Sequence, residues 1–195
     1  MINNVKAVLK RYIKEDSFLR VSLKIVYKFF IKCLNLPDYA SELGFWRSWL
    51  PKNWERLSCQ ELQKIIFPKP LLIFINKLQN NGCGNLELLE IGSGPVSLLA
   101  WGVNKNLFHV VAIDALADSY EKIMKNYKYS YPIKPIKGYG ERLPNVVNKK
   151  VFDIIYSSNA LDHVVSPEKC LNNMFKVLKK RGGIFTWKDI LMKVP

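Results

Sequence analysis

The chain has 195 residues, enough for one domain with a sizeable core and marginal for two. At 49% hydrophobic and 24% charged it is globular, which excludes a disordered or low-complexity role. The net charge of +14 invites an anionic partner, either nucleic acid or a membrane surface.

No uncharged apolar run is long enough for a membrane span. The first residues, MINNVKAVLKRYIKEDS, lack the pattern of a secretory signal. Cysteines 33, 59, 83 and 170 have no paired spacing, and two histidines do not complete a zinc site, so no metal is expected. The expectation is a cytoplasmic protein with reduced thiols, with peripheral contact to the inner membrane surface as an added reading.

That reading rests on residues 1–36, where eight basic side chains (Lys6, Lys10, Arg11, Lys14, Arg20, Lys24, Lys28 and Lys32) outweigh Glu15 and Asp16. Residues 17–34 read as one helix with Arg20, Lys24, Lys28 and Lys32 on one face. A basic amphipathic helix can lie on an anionic surface, or pack its apolar side on the domain and leave the lysines in water. Residues 39–55 concentrate aromatics, and Phe45, Trp46 and Trp49 fall on one helical face as core or as a lid over a ligand. Another helix is expected over 69–79.

The texture changes at NNGCGN, residues 80–85. This divides the chain into a helical region, 1–80, and an alternating strand–helix domain, 81–195. Strands are predicted at Leu86–Ile91, Phe108–Ile113, Ile133–Lys137, Phe152–Ser157 and Gly183–Trp187. Helices are predicted from Pro95 to about Val103, from Ala117 to Tyr127, and from Pro167 to Lys180. Ser166 serves the last as N-cap, and Gly182-Gly183 ends it. The alternation predicts an α/β fold: a doubly wound parallel sheet with helices on both faces.

In such sheets the ligand lies at the carboxyl ends of the strands. The turn Gly92-Ser93-Gly94 follows the first strand, and Pro95 opens the next helix. Ser97 stands where a GxGxxG fingerprint has its third glycine. Asp114 ends the second strand twenty residues beyond Gly94, a spacing suited to two ribose hydroxyls. A helix N-cap is its other reading. His163, after the fourth strand, is the candidate general base, with loop packing as the alternative. His109 falls at the far end of the sheet.

Five segments then occur in order: EIGSGP (90–95), VAIDA (111–115), GYGERLP (138–144), FDIIYSSNALDHV (152–164) and LKKRGGIF (178–185). Together they resemble the successive motifs of class I S-adenosylmethionine-dependent methyltransferases, closest to the type 11 small-molecule and glycan group. The resemblance covers about residues 85–188 and implies a Rossmann-like doubly wound sheet, five strands visible in the order 3-2-1-4-5, behind an N-terminal helical region. It implies S-adenosylmethionine as cofactor and S-adenosylhomocysteine as product. Glu90 with Gly92, Ser93 and Gly94 would hold the methionine end. Asp114 would bind the ribose and Ala115 lie beside the adenine. The backbone of Gly140 and Glu141 would approach the adenine edge, with Ser158 and Asn159 below the sulfonium. Tyr139 stands where the family often has an acidic residue.

The expected reaction is methyl transfer to an oxygen or nitrogen of a small molecule, sugar or lipid-linked glycan, an anionic one fitting the charge. No N-P-P-Y or D-P-P-Y segment and no Pro-Cys nucleophile follows the fourth strand, so nucleobase chemistry is not expected and nucleic acid ranks below other partners. The family's sheet ordinarily has seven strands and five are legible here. This leaves a second expectation, a truncated or degenerate non-catalytic cofactor-binding or interaction module. A homo-oligomer could cover the open sheet edge.

Overall fold

The computed structural model describes residues 39–187, apart from residue 149. The basic helix expected over 17–34 lies outside the described residues. The described residues belong to one compact unit.

Three helices come first: α1 (Tyr39–Ser58), α2 (Gln60–Ile66) and α3 (Lys69–Asn80). The alternating part follows as β1 (Leu86–Ile91), α4 (Ala100–Asn104), β2 (Phe108–Asp114), α5 (Ala117–Asn126) and β3 (Ile136–Lys137). A 3-10 turn (Gly140–Arg142) leads into α6 (Leu143–Val146), then β4 (Phe152–Ser158), α7 (Pro167–Lys176) and β5 (Leu178–Trp187). The sheet is parallel throughout, as the alternation predicted, and its order β3-β2-β1-β4-β5 is the one the resemblance implied.

Side chains alternate across the sheet and fill two cores. Leu86, Leu88, Phe108, Ala112, Ile154 and Tyr156 pack with Trp46, Leu50, Leu71 and Ile75 of α1 and α3 on one face. Leu89, Ile91, Ile113 and Ile155 pack with Leu143, Cys170 and Met174 of α6 and α7 on the other. The helical residues 39–80 therefore share a core with the sheet.

Four element boundaries differ from the sequence expectation, each for a local reason. The helix expected at Pro95 begins only at Ala100, because the Ser97 hydroxyl accepts the Leu99 N–H at 3.0 Å and holds the backbone in a turn. The third strand contracts from 133–137 to Ile136–Lys137, since Pro132 and Pro135 have no N–H for a ladder. The last helix stops at Lys176 rather than Lys180. The Val177 carbonyl accepts the Phe152 N–H at 2.8 Å, drawing the chain into β5 five residues before Gly183. Between Phe152 and Ile154 the β4–β5 register shifts, with Leu178 and Gly183 as their partners, so the intervening basic residues bulge from the ladder instead of capping a helix.

α1 continues through Pro51. Proline removes the N–H that would reach the carbonyl of Arg47, and Tyr127 Oη donates to that carbonyl at 3.5 Å. Trp54 stacks on Tyr129 with ring centres 3.9 Å apart, and Tyr120 Oη donates to Glu42 Oε1 at 2.7 Å. These contacts clamp α1 beside the carboxyl ends of β1 and β2.

Leu50 is fully buried in this joint core. Leu50→Ala should cost about 2–5 kcal/mol. Denaturant unfolding followed by tryptophan fluorescence and by far-UV circular dichroism should keep coincident midpoints. Separate transitions would show that α1 folds apart from the sheet.

Candidate functional site

The carboxyl ends of β1, β2 and β4 open into a cavity of about 470 Å³. Ile91, Gly92, Asp114, Ala115 and Leu116 form one side, and Gly138 to Arg142 another. The loop after β4 supplies Asn159, Ala160, His163 and Val164, and α1 closes over Tyr39 and Glu42. A smaller space of about 80 Å³ adjoins it, lined by Glu42, Trp46, Trp49, Glu90, Ser93, Gly94 and Ser158. Gly92 and Asn159 border both. The candidate cofactor-binding residues and His163 therefore come together around these two spaces.

The glycine turn is built for close approach. Gly92 has φ +70°, and a methyl group there would overlap Cβ of Ala160. Gly94 has φ +63°, and a methyl there would stand 2.9 Å from Trp46 Cζ2. The turn thus lies beneath the loop after β4 on one side and an α1 indole on the other.

Asp114 anchors the same turn. Its Oδ2 accepts the Gly94 N–H at 3.0 Å and its Oδ1 accepts the Leu116 N–H at 2.8 Å. The helix N-cap reading is not met, since Leu116 holds that position of α5 and has no side-chain cap. One Asp114 oxygen closes the turn ahead of α5, the other ties β2 to the glycine turn, and the residue lines the cavity. Burial pushes Asp114 up to about 6, against the lowering effect of those two N–H groups.

Glu90 is 3% exposed, and its Oε2 has no hydrogen-bond partner among the described residues. Burial pushes its carboxyl up to about 7, with the nearby Asp114 charge adding to the rise. Ser158 Oγ is likewise buried, makes no well-formed hydrogen bond, and lies close enough to the Tyr156 hydroxyl to influence it.

The Glu141 backbone lines the cavity while its side chain turns to the opposite wall. Oε1 accepts the N–H groups of Val165 and Ser166 at 2.9 and 3.2 Å, and its carbonyl accepts from Asn173 Nδ2 at 2.7 Å. This fixes the loop that carries His163. Gly140 rests on the Cys170 sulfur, whose thiol burial pushes up to about 11, so that cysteine is a packing group. His163 borders the cavity with its side chain 61% exposed, and its Nε2 lies 3.7 Å from Asp162 Oδ1. His109 meets Glu87 at 3.8 Å at the amino end of β2, away from the site.

Sequence reasoning singled out the aromatics of residues 39–55, Tyr39 among them, and passed over Glu42. The signal was the spacing: Tyr39, Glu42, Trp46 and Trp49 recur at helical intervals on one face.

A doubly wound sheet with a glycine turn after β1 and an acid ending β2 defines a class of α/β protein that holds a nucleoside-bearing ligand at the strand ends. Residues 89–186 match the family described as methyltransferase domain, half of the chain, and the protein belongs to that family. It is 28% identical over 124 residues to a protein named ubiquinone biosynthesis O-methyltransferase from Rickettsia bellii, covering 60% of this chain and 48% of that one. The chain spans about half the length of the curated relatives it matches. Among solved structures, it is similar to the plantazolicin methyltransferase BpumL in complex with SAH (17% identity, TM-score 0.47, covering 74% of this chain and 56% of that one). A Methanococcus maripaludis structure described as a putative S-adenosyl-L-methionine-dependent methyltransferase is 19% identical, with TM-score 0.45 over 67% of this chain and 61% of that one.

The raised Glu90 carboxyl has a measurable consequence. Its folded pKa of about 7 exceeds the ordinary 4.5, so the folded state holds this proton more tightly than the unfolded state. Its contribution is most favourable below pH 4.5 and is lost as pH rises through 7. Glu90→Gln should raise the stability of the free protein at pH 8 by roughly 1–3 kcal/mol, with the gain vanishing near pH 4. Thermal unfolding of both proteins across pH 4–8 checks this, and a constant difference would refute the assignment.

Proposed function

We propose that the protein binds S-adenosylmethionine across the two spaces and transfers its methyl group to an oxygen or nitrogen of a small-molecule acceptor. The observation that carries this is the buried Glu90 carboxylate, unpartnered at Oε2 beside a glycine turn. An anionic site of that kind suits a ligand ammonium. In this reading Glu90, Ser93 and Gly94 hold the methionine end. Asp114 accepts from the ribose, with its remaining lone pairs free of the two backbone N–H groups. Ala115, Gly140 and the Glu141 backbone border the adenine, and Ser158 and Asn159 lie beneath the sulfur.

The bound group would supply an electrophilic methyl on a sulfonium. The residues of this chain would orient it and exclude water. Trp46 and Trp49 cover the smaller space, and His163, beside Asp162, takes the proton of a hydroxyl acceptor. The relative's name favours an oxygen acceptor. The sugar or glycan class remains part of the proposal, as does a non-catalytic cofactor-binding module in place of an enzyme.

Calorimetric titration of the full chain with S-adenosylmethionine and S-adenosylhomocysteine tests the first step. Asp114→Ala should weaken both at least about tenfold, because it also frees the glycine turn. No binding by the folded wild-type chain would refute the reading. With labelled methyl donor and a phenolic acceptor panel, His163→Ala should lower turnover about 100-fold and leave cofactor affinity within about twofold. Binding without any transfer would favour the non-catalytic alternative.

Two partner proposals go with this reading. No helix among the described residues is long and apolar enough to cross a membrane, and the basic segment 1–36 is proposed as a peripheral contact. A second copy of the chain is proposed to cover the outer edge of β5. Sedimentation with anionic vesicles, which deletion of 1–36 should abolish, and mass by light scattering, which should exceed that of one chain, test them.

A further inference from the structure

The chain carries a net charge of +14, yet the inner part of its site is acidic. The smaller space is bordered by two carboxylates, Glu42 and Glu90, and by no basic side chain. Asp114 stands at the end of β2 on the larger space. The basic residues of that larger space, Arg142 and Lys169, are exposed and do not border the smaller one.

Glu42 has a position neither of the other acids shares. It lies in the first turn of α1 and is half-buried. Like Gly92 and Asn159 it borders both spaces, so it stands where they join. Its carboxylate is held there: Oε1 accepts from Tyr120 Oη at 2.7 Å, and Tyr120 is 1% exposed. Burial raises the Tyr120 pKa, with the Asp114 and Glu42 charges adding to the rise, so the phenol keeps the proton it shares with Glu42. Among the described residues, none hydrogen-bonds to Oε2.

The Glu42 charge is felt across the site. Burial pushes Asp114 up to about 6, and Glu42 adds to that rise. Glu90 Oε2 is buried with no partner among the described residues. Acids that oppose one another around joined spaces are relieved by a ligand that brings positive charge. The bond to Tyr120 does not by itself call for a charge, because a neutral amide oxygen in place of Oε1 would accept it as well.

We infer that Glu42 selects between the two forms of the cofactor: its carboxylate pairs with the sulfonium of S-adenosylmethionine, so the site holds the methyl donor more tightly than the demethylated product. This rests on the methyl-transfer reading, in which the methionine end takes the smaller space and the nucleoside the larger. The sulfur links those two parts and falls at the junction that Glu42 borders. S-adenosylmethionine carries a sulfonium and an ammonium against one carboxylate and is cationic overall. S-adenosylhomocysteine lacks the sulfonium charge and is neutral overall. A pairing made with only one of the two ligands appears as a difference between their affinities. That difference favours the exchange of product for fresh donor after each transfer.

The test is calorimetric titration of the full chain with S-adenosylmethionine and S-adenosylhomocysteine. The wild-type chain should bind S-adenosylmethionine more tightly, and the preference should shrink as salt rises from about 20 mM to about 500 mM. Glu42→Gln keeps an oxygen for Tyr120. It should weaken S-adenosylmethionine about tenfold and leave S-adenosylhomocysteine within about twofold. Glu42→Asp, which restores the charge, should recover most of the preference. Equal weakening of both ligands in Glu42→Gln would assign Glu42 to the ribose or to the scaffold and overturns the inference. So does a wild-type chain that binds S-adenosylhomocysteine as tightly as S-adenosylmethionine, an outcome that needs no variant to fold. A folded wild-type chain that binds neither ligand removes the methyl-transfer reading and this inference together, whereas equal weakening removes the inference alone.

Discussion

The two hydrogen bonds into the Asp114 carboxylate hold the site together. One ties the end of β2 to the glycine turn after β1 and the other closes the turn ahead of α5. A carboxylate is suited to this because each oxygen can accept more than one donor. With the turn pinned, Gly92 comes under Ala160 and Gly94 under Trp46, and the two spaces at the strand ends take their shape. The same arrangement buries two acids, Glu90 and Asp114, where each carboxyl is pushed above its ordinary value. The site is therefore stabilised by geometry and opposed by its own charge, a conflict characteristic of places built for a ligand.

The helices before the sheet belong to this arrangement. α1 crosses the glycine turn, and its fixed position depends on contacts to the β2–β3 region: Glu42 with Tyr120, and Trp54 with Tyr129. Its indoles roof the smaller space while its acidic face enters the larger one. One segment thus supplies core, roof and wall. Its aromatic residues could be read as core or as lid because they serve as both.

Much of the sheet was legible because parallel strands buried on both faces leave continuous apolar runs, as in Leu86–Ile91 and Phe152–Ser158. The site was legible where backbone conformation demands a residue type, as at Gly92 and Gly94, or where a charge ends an apolar strand, as at Asp114. The misplaced boundaries involve competition between hydrogen-bond partners. Lys179, Lys180 and Arg181 suit a helix end, yet the β4 ladder takes the chain from Leu178. Ser97 suits a helix interior by size, yet its hydroxyl closes a turn.

The sequence by itself determined the fold class and the positions of the glycine turn and its acid, because these depend on local periodicity and on backbone conformations few residues can adopt. Only the tertiary structure decided what those residues face. That Glu42 enters the cavity, that Glu141 braces the opposite loop, and that Glu90 Oε2 is buried without a partner among the described residues follow from segments brought together across the chain. A missing partner is a property of the packed surroundings, and no linear pattern records it.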